Sequence, residues 1–317
     1  MARVRSVLPT DLVALASHGG RIRPNEAVTR ERAGSQVSAR PLETAIEQWF
    51  SFARGRHTWI SVKGMTLQGL ASARRRGAKT AWELDCLIHT DEDESVLMSL
   101  LDRVVEDAGR AGAEKVFLRA PAESDVVRTA VATGFFHYLT EWLLAAAGPH
   151  RATSGDPLPA LRRWTRADAH ATFRLYNRWT PAPVRRVEAP TFREWIASRE
   201  RISPNRGARQ WLVERDGDAH GWLRVAADGE TGRFELMTDA AAAPELADAL
   251  IDSALSRLSE QSALQALVPE FAAGLRERLE ARGFEERASF VVLARRTTRP
   301  VAAAELAPAV PVPSVPA

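Results

Sequence analysis

The chain is written twice. Val4, Arg5, Val7 and Asp11 recur as Leu161, Arg162, Trp164 and Asp168, in the order apolar, Arg, any, apolar, three of any kind, Asp. Further along, Gly69 before an apolar run answers to Gly221, Glu83 to Glu235, and Gly134-Phe135 to Gly283-Phe284. Asp168 lies 157 residues after Asp11, while Gly221 and Glu235 each lie 152 residues after their partners, so the spacing is nearly constant. Similarity at so long a period means two copies of one domain. The 317 residues suit two units of ~150 each, and each is large enough for a core.

Composition narrows the classes of function. Hydrophobic residues make up 45% and charged residues 26%, as in ordinary soluble globular proteins. The net charge is only +3, and the basic side chains are nearly all Arg, with Lys only at positions 63, 79 and 115. These Arg residues alternate with acids, as in Arg193-Glu194 or Arg276-Glu277-Arg278, which reads as solvated helix faces rather than a stripe that tracks phosphates. No nucleic-acid partner is expected. The run Arg74-Arg75-Arg76 beside Gly77 reads as a hairpin tip. A single cysteine, Cys86, allows no intrachain disulfide or thiolate zinc cluster and fits a reducing, cytoplasmic compartment. No run approaches the ~20 apolar residues that span a bilayer, so a soluble chain with no membrane partner is expected.

Each half carries the same succession of elements. In the first, residues 58–62, 65–73 and 82–88 read as three antiparallel strands joined by short turns. Residues 95–111 then change period, with Val96, Leu97, Leu100, Leu101, Val104, Val105 and Ala108 on one helical face. A strand at 115–119, a helix at 124–133 ended by Gly134, and a strand at 135–147 complete the half. The second half repeats this with strands at 210–214, 220–226 and 233–237, where Asp216-Gly217 and Asp228-Gly229 mark hairpins. A helix from Pro244, a strand at 264–268, a helix at 271–281 and a strand at 289–295 follow. Helical material also precedes each sheet, at 42–53 and 192–197. Residues 19–40 have little periodicity and read as a long loop. The boundaries are therefore a first domain at 1–147, a linker at 148–159, a second domain at 160–299, and an unstructured tail of Ala, Pro and Val at 300–317.

This order, with the Arg and Asp of the opening turn, the Gly of the third strand, the Glu of the fourth and the Gly-Phe before the last, resembles the GCN5-related N-acetyltransferase family, twice in tandem. The resemblance covers nearly all of both halves. It implies a mixed α+β fold of two domains, each a twisted, mainly antiparallel sheet with helices on both faces. Acetyl-CoA is the implied cosubstrate, and a small-molecule amine the implied acceptor. In the family an Arg-x-x-Gly-x-Gly or Ala turn after the fourth strand closes backbone N–H groups around a pyrophosphate. Here, with Leu100 and Leu250 in the family's helical Leu position, the Arg place falls on Glu92 and Ala242. The Gly places fall on Ser95 and Leu97, and on Glu245 and Ala247. The first half offers Asp91-Glu92-Asp93-Glu94, which would repel an anionic cofactor and reads as helix capping. The second offers the small, uncharged residues 240–243. The expected cofactor contacts are accordingly Met237, Ala242, Ala243 and Ala247.

Acyl transfer to an amine needs a base, and usually an acid for the departing thiolate. The resemblance assigns the base to the fourth-strand glutamate, Glu235 or Glu83, and puts Ala130 and Leu279 where the family often has a tyrosine. The only tyrosines, Tyr138 and Tyr176, lie elsewhere. Asp85, two residues from Glu83, shares its side of the strand and makes a paired-carboxylate site conceivable, beside a plain polar outer face. His89, His137, His170 and His220 share no metal-ligand spacing, so no metal is expected, and Cys86 alternates with Leu84 and Ile88 as a buried apolar residue. Trp164, Trp179, Trp195, Trp211 and Trp222, all in the second half, are candidates for core packing or for an aromatic-lined pocket. Two readings follow: acetyl transfer carried by the second half with the first half structural, or a non-catalytic module that binds a small ligand or partner in the same cleft.

Overall fold

A computed structural model describes residues 3–8, 11, 24–34, 55–64, 66–77, 80–90, 94–148, 161–201, 208–239 and 244–298. The helix expected at 42–53, most of the linker and the tail lie outside the described residues. Twelve strands run in chain order as β1 (Arg3–Ser6), β2 (Arg56–Lys63), β3 (Thr66–Arg75), β4 (Ala81–His89), β5 (Lys115–Pro121), β6 (Phe136–Ala147), β7 (Leu161–Arg163), β8 (Arg209–Arg215), β9 (Asp218–Asp228), β10 (Thr231–Thr238), β11 (Ala263–Pro269) and β12 (Glu285–Arg296). The described α-helices are α1 (Glu94–Arg110) and α2 (Asp125–Ala132) in the first half. In the second they are α3 (Ala169–Trp179), α4 (Ala182–Glu188), α5 (Phe192–Arg201), α6 (Pro244–Arg257) and α7 (Ala273–Glu280).

The repeated residues do the same job in both copies. Arg5 reaches Asp11 through two bonds of 2.5 Å, and Asp11 accepts from the Leu8 N–H at 2.7 Å. Arg162 holds Asp168 at 2.6 and 2.9 Å, and Asp168 accepts from the Thr165 N–H at 2.7 Å. The Arg162 hydrogen bonds hold the Asp168 carboxyl down at about 2. Each aspartate thus closes the turn after the opening strand by occupying an N–H left free there. Gly69 and Gly221 let the long helix of each half settle onto its sheet. A Cβ on Gly69 would come within 2.9 Å of Leu100 Cδ1 and 3.1 Å of the Ile88 carbonyl, and one on Gly221 within 3.0 Å of Leu250 Cδ1. The sequence alignment of Leu100 with Leu250 is therefore matched by one leucine-over-glycine contact made twice. Gly134 and Gly283 end α2 and α7 with φ of 88° and 82°, and the following Phe135 and Phe284 N–H groups bond back to Ala130 and Leu279.

The closing strands are exchanged. The sheet is continuous, with the order β1-β2-β3-β4-β5-β12-β6-β11-β10-β9-β8-β7. β12 lies between β5 and β6, and β6 between β12 and β11. Leu293 of β12 is fully buried in the core beneath α1, and Leu144 and Ala146 of β6 are buried in the core beneath α6. Each such leucine contributes about 1.5–3 kcal/mol of burial to the half it does not belong to in sequence. Exchange of like elements costs little, because the interactions gained equal those given up.

The run Arg74-Arg75-Arg76 lies at the β3–β4 hairpin turn, as expected, with the Arg76 N–H donating to the Ala81 carbonyl at 2.8 Å, and two of its side chains form ion pairs. β3 extends through Arg75, Arg74 pairs with Glu83 at 3.1 Å and with Glu31, and Arg76 pairs with Glu188 at 3.3 Å and covers the Phe117 ring at 4.3 Å. These arginines belong to an ion-pair seam along one face of the sheet. At its centre Arg119 of β5, 3% exposed, bonds Glu141 of β6, 1% exposed, at 2.7 Å. Glu141 is also held by Arg30 at 3.2 Å. Burial pushes the Glu141 carboxyl up, but Arg119 and Arg30 outweigh it and hold it below its ordinary range.

Four outcomes follow from this architecture. Residues 160–298 expressed alone lack β6 between β11 and β12, so circular dichroism should show no cooperative melt, and co-expression with residues 1–148 should restore it. A cooperative melt of the isolated piece would refute the exchange. Gly69→Ala should lower stability by about 1–3 kcal/mol in denaturant titration. Gly221→Ala should cost less, since only side-chain atoms stand within 3.4 Å of its Cβ. Glu141→Gln strands Arg119 in the seam and should cost about 3–5 kcal/mol by the same measurement.

Candidate functional site

Each half contains one parallel strand pair, and both pairs come apart part-way. β4 and β5 are bridged only from Ala81↔Lys115 to Glu83↔Phe117, although both strands continue. β10 and β11 are bridged from Thr231↔Ala263 to Phe234↔Ala266 and then diverge. The two wedge-shaped openings have different contents.

In the first half the opening is filled by the chain itself. The Glu26 N–H donates to the Leu87 carbonyl and the Val28 N–H to the Arg119 carbonyl, both at 2.9 Å, so residues 26–28 bridge β4 and β5. The Asn25 side chain accepts from the Leu87 N–H at 2.8 Å and donates to the Asp85 carbonyl at 3.3 Å. Ala27 is 1% exposed in the core, and Ser124 donates to the Glu26 carboxylate. Backbone groups that an extended ligand would need on β4 and β5 are thus already used. The long loop expected at 19–40 is, over its described part, a structural wedge.

In the second half, among the described residues, no main-chain segment bridges the opening. A cavity of about 100 Å³ lies there, lined by Phe234–Met237 of β10 and Ala266–Pro269 of β11, and roofed by α3, α4 and α5. Glu235 is on its wall, with a side chain 27% exposed, 3.8 Å from Arg30 and 3.9 Å from Arg224. Met237 also lines it. Ala247 is half-buried on α6, while Ala242 and Ala243 lie outside the described residues.

Glu83 occupies the equivalent strand position in a different setting. It is buried in the seam with Arg74 at 3.1 Å and Arg119 at 3.9 Å. Burial pushes its carboxyl up, but Arg76, Arg74 and Arg119 hold it below its ordinary range. Asp85 is taken by Arg56 at 2.8 Å, so both members of the conceivable carboxylate pair are neutralised by their own guanidinium groups. A cross-strand Arg–Glu pair recurs in the second half as Arg224 opposite Glu235. There the carboxylate, between Arg224 and Arg30, also borders a cavity.

Several lining residues have no signal in the repeat. Arg30 and Arg76, with Leu139 and Glu141 of β6, come from the first half, so the second half's cavity is composite. Tyr176 and Thr180 at the end of α3 present hydroxyls that are buried and unpartnered. Burial, and then Glu188, push the Tyr176 phenol well above its ordinary range, so it stays protonated. Trp179, Trp195 and Trp222 line the cavity, as the clustering of tryptophans allowed, whereas Trp164 lines a separate hollow with His170 and Phe192. Leu279, at the family's tyrosine place, is fully buried in the core.

Comparison with known proteins bears on the fold. No family model matches the chain, and no curated protein matches it. Among solved structures, a GCN5-related N-acetyltransferase from Sphaerobacter thermophilus superposes with a TM-score of 0.55 at 14% identity, covering 93% of this chain and 95% of that one. A tandem GNAT protein from the clavulanic acid biosynthesis pathway gives 0.54 at 15% identity, over 93% and 98% of the two chains. A probable N-acyltransferase from Enterococcus faecalis gives 0.50 at 12% identity, over 94% and 72%. The duplicated sheet, the split parallel pair in each half and these superpositions agree: the chain has the fold of the tandem GCN5-related N-acetyltransferases.

Proposed function

We infer that the second half transfers an acyl group from acyl-coenzyme A, acetyl-CoA in the simplest case, to a small amine. The observation that carries this reading is the asymmetry of the two openings. The β4/β5 opening is closed by residues 25–28, while the β10/β11 opening leads to a cavity with a carboxylate on its wall. The residues present fit such a cosubstrate at its acyl end, where the unbridged edges of Leu236–Met237 and Leu267–Val268 face the cavity. Bound there, acetyl-CoA would supply an activated carbonyl. In the chain α6 follows β10 and begins at Pro244, and a helix N-terminus offers free N–H groups to a phosphate.

Glu235 is the group for the proton. As a bond forms between nitrogen and the acyl carbon, the amine must lose a proton, and a carboxylate on the cavity wall accepts it directly or through one water. Arg224 and Arg30 hold that carboxylate from two sides. Tryptophan and phenylalanine walls limit water around the reacting groups. Leu279 has no hydroxyl to offer, so acid assistance from the family's usual helix is missing. Glu83, enclosed by arginines, serves the seam.

Calorimetric titration of the full chain with acetyl-CoA should show one site per chain at micromolar affinity. Silence at millimolar cosubstrate would overturn the reading and leave a non-catalytic binding module. Glu235→Gln should lower thiol release with a competent amine by roughly 10²–10⁴-fold while leaving cosubstrate binding in place. Unchanged turnover would remove Glu235 from the chemistry.

A further inference from the structure

Charges and hydroxyls on the cavity wall are used unequally. Three guanidinium groups and three carboxylates line it, and each lies within 4 Å of an opposite charge: Arg30 is 3.2 Å from Glu141 and 3.8 Å from Glu235, Arg76 is 3.3 Å from Glu188, and Arg224 is 3.9 Å from Glu235. The hydroxyls of Tyr176 and Thr180 are not satisfied in this way. Tyr176 is 8% exposed and Thr180 4%, both line the cavity one helical turn apart, and neither oxygen has a hydrogen-bond partner among the described residues. A buried hydroxyl without a partner is unfavourable and is seldom retained without a reason. Both can donate and accept, and both belong to side chains that line the same cavity.

The remaining wall is aromatic, from Trp179, Trp195, Trp222 and Phe271. A volume of 100 Å³ has room for on the order of seven water-sized groups. A carboxylate or phosphate entering beside Glu141, Glu188 and Glu235 would find the guanidinium groups already engaged and its charge unpaired in a largely desolvated site. An uncharged group that donates and accepts hydrogen bonds completes what the protein leaves open.

We propose that Tyr176 and Thr180 form the acceptor's recognition subsite, and that the acceptor is a small primary amine with a neighbouring uncharged amide or hydroxyl group rather than a carboxylate or phosphate. This rests on the acyl-transfer reading for the role of the amine, but the subsite can be tested by binding alone. Glycinamide and glycine are a suitable pair of probes, alike in amine and size and different in the charge at the other end.

The full chain without cosubstrate is titrated with each probe by calorimetry and by thermal shift. Glycinamide is expected to bind at least tenfold more tightly than glycine. Tyr176→Phe and Thr180→Val should each weaken glycinamide by about tenfold and reduce the preference over glycine. Because each variant removes an unpartnered hydroxyl, its melting temperature without ligand should be unchanged or higher. Equal binding of the two probes, preference for glycine, no binding of either at high millimolar concentration, or a marked fall in melting temperature of both variants would overturn the proposal. Selective glycinamide binding by a chain that ignores acetyl-CoA would retain the subsite and refute acyl transfer. Thiol release that does not distinguish the amines would do the reverse.

Discussion

The pairing of β6 with β12 at the middle of the sheet is the interaction on which the molecule depends. It runs from Glu285↔Ala145 to Ala294↔Phe136 and joins two strands that each close the other half's sheet. Without β6 the second half has β11 and β12 separated by a missing strand; without β12 the first half has the same gap between β5 and β6. Because the apolar faces of these strands enter both cores, and on the other face Arg119 of β5 reaches over β12 to Glu141 of β6, withdrawing β12 would expose both apolar and charged groups. The duplication in sequence is therefore not modularity in structure.

The same coupling explains why two similar halves can differ in use. Residues 25–28 fill the β4/β5 opening, and residues immediately after them reach the second half. Arg30 touches Glu141 and Glu235, and Arg233 donates to the Glu31 carbonyl. One short segment thus closes the first cleft and helps to build the wall of the second. The first half also lines the cavity of the second, through Arg30, Arg76, Leu139 and Glu141.

Much of this was legible in the chain because the repeat marks positions whose physical demands are local. Asp11 and Asp168 cap a turn, Gly69 and Gly221 admit a leucine, and Gly134 and Gly283 take a positive φ, so each identity is fixed by its neighbours. The family resemblance points to Glu235 and Glu83 alike, and the strands bring Glu235 to a cavity and Glu83 to the buried seam. The exchange of closing strands was not legible, because β6 and β12 carry the same kind of apolar pattern and a register specifies faces, not which half a partner comes from. The wedge was hidden for a different reason. Residues 25–28 bond two strands through main-chain atoms and one asparagine, which leaves no periodicity to read. The ion pairs of Arg74 with Glu31 and of Arg76 with Glu188 left no signal, because these partners lie far away in sequence.

Hydrogen exchange of the full chain with and without acetyl-CoA tests the asymmetry of the two clefts most directly, because it reads backbone amides in both halves of one sample. Acetyl-CoA should slow exchange in Thr231–Thr238 and Ala263–Pro269 and leave Ala81–His89 and Lys115–Pro121 unchanged. Protection of β4 and β5 equal to that of β10 and β11, or no protection anywhere at saturating cosubstrate, would contradict a closed first cleft and an open second one.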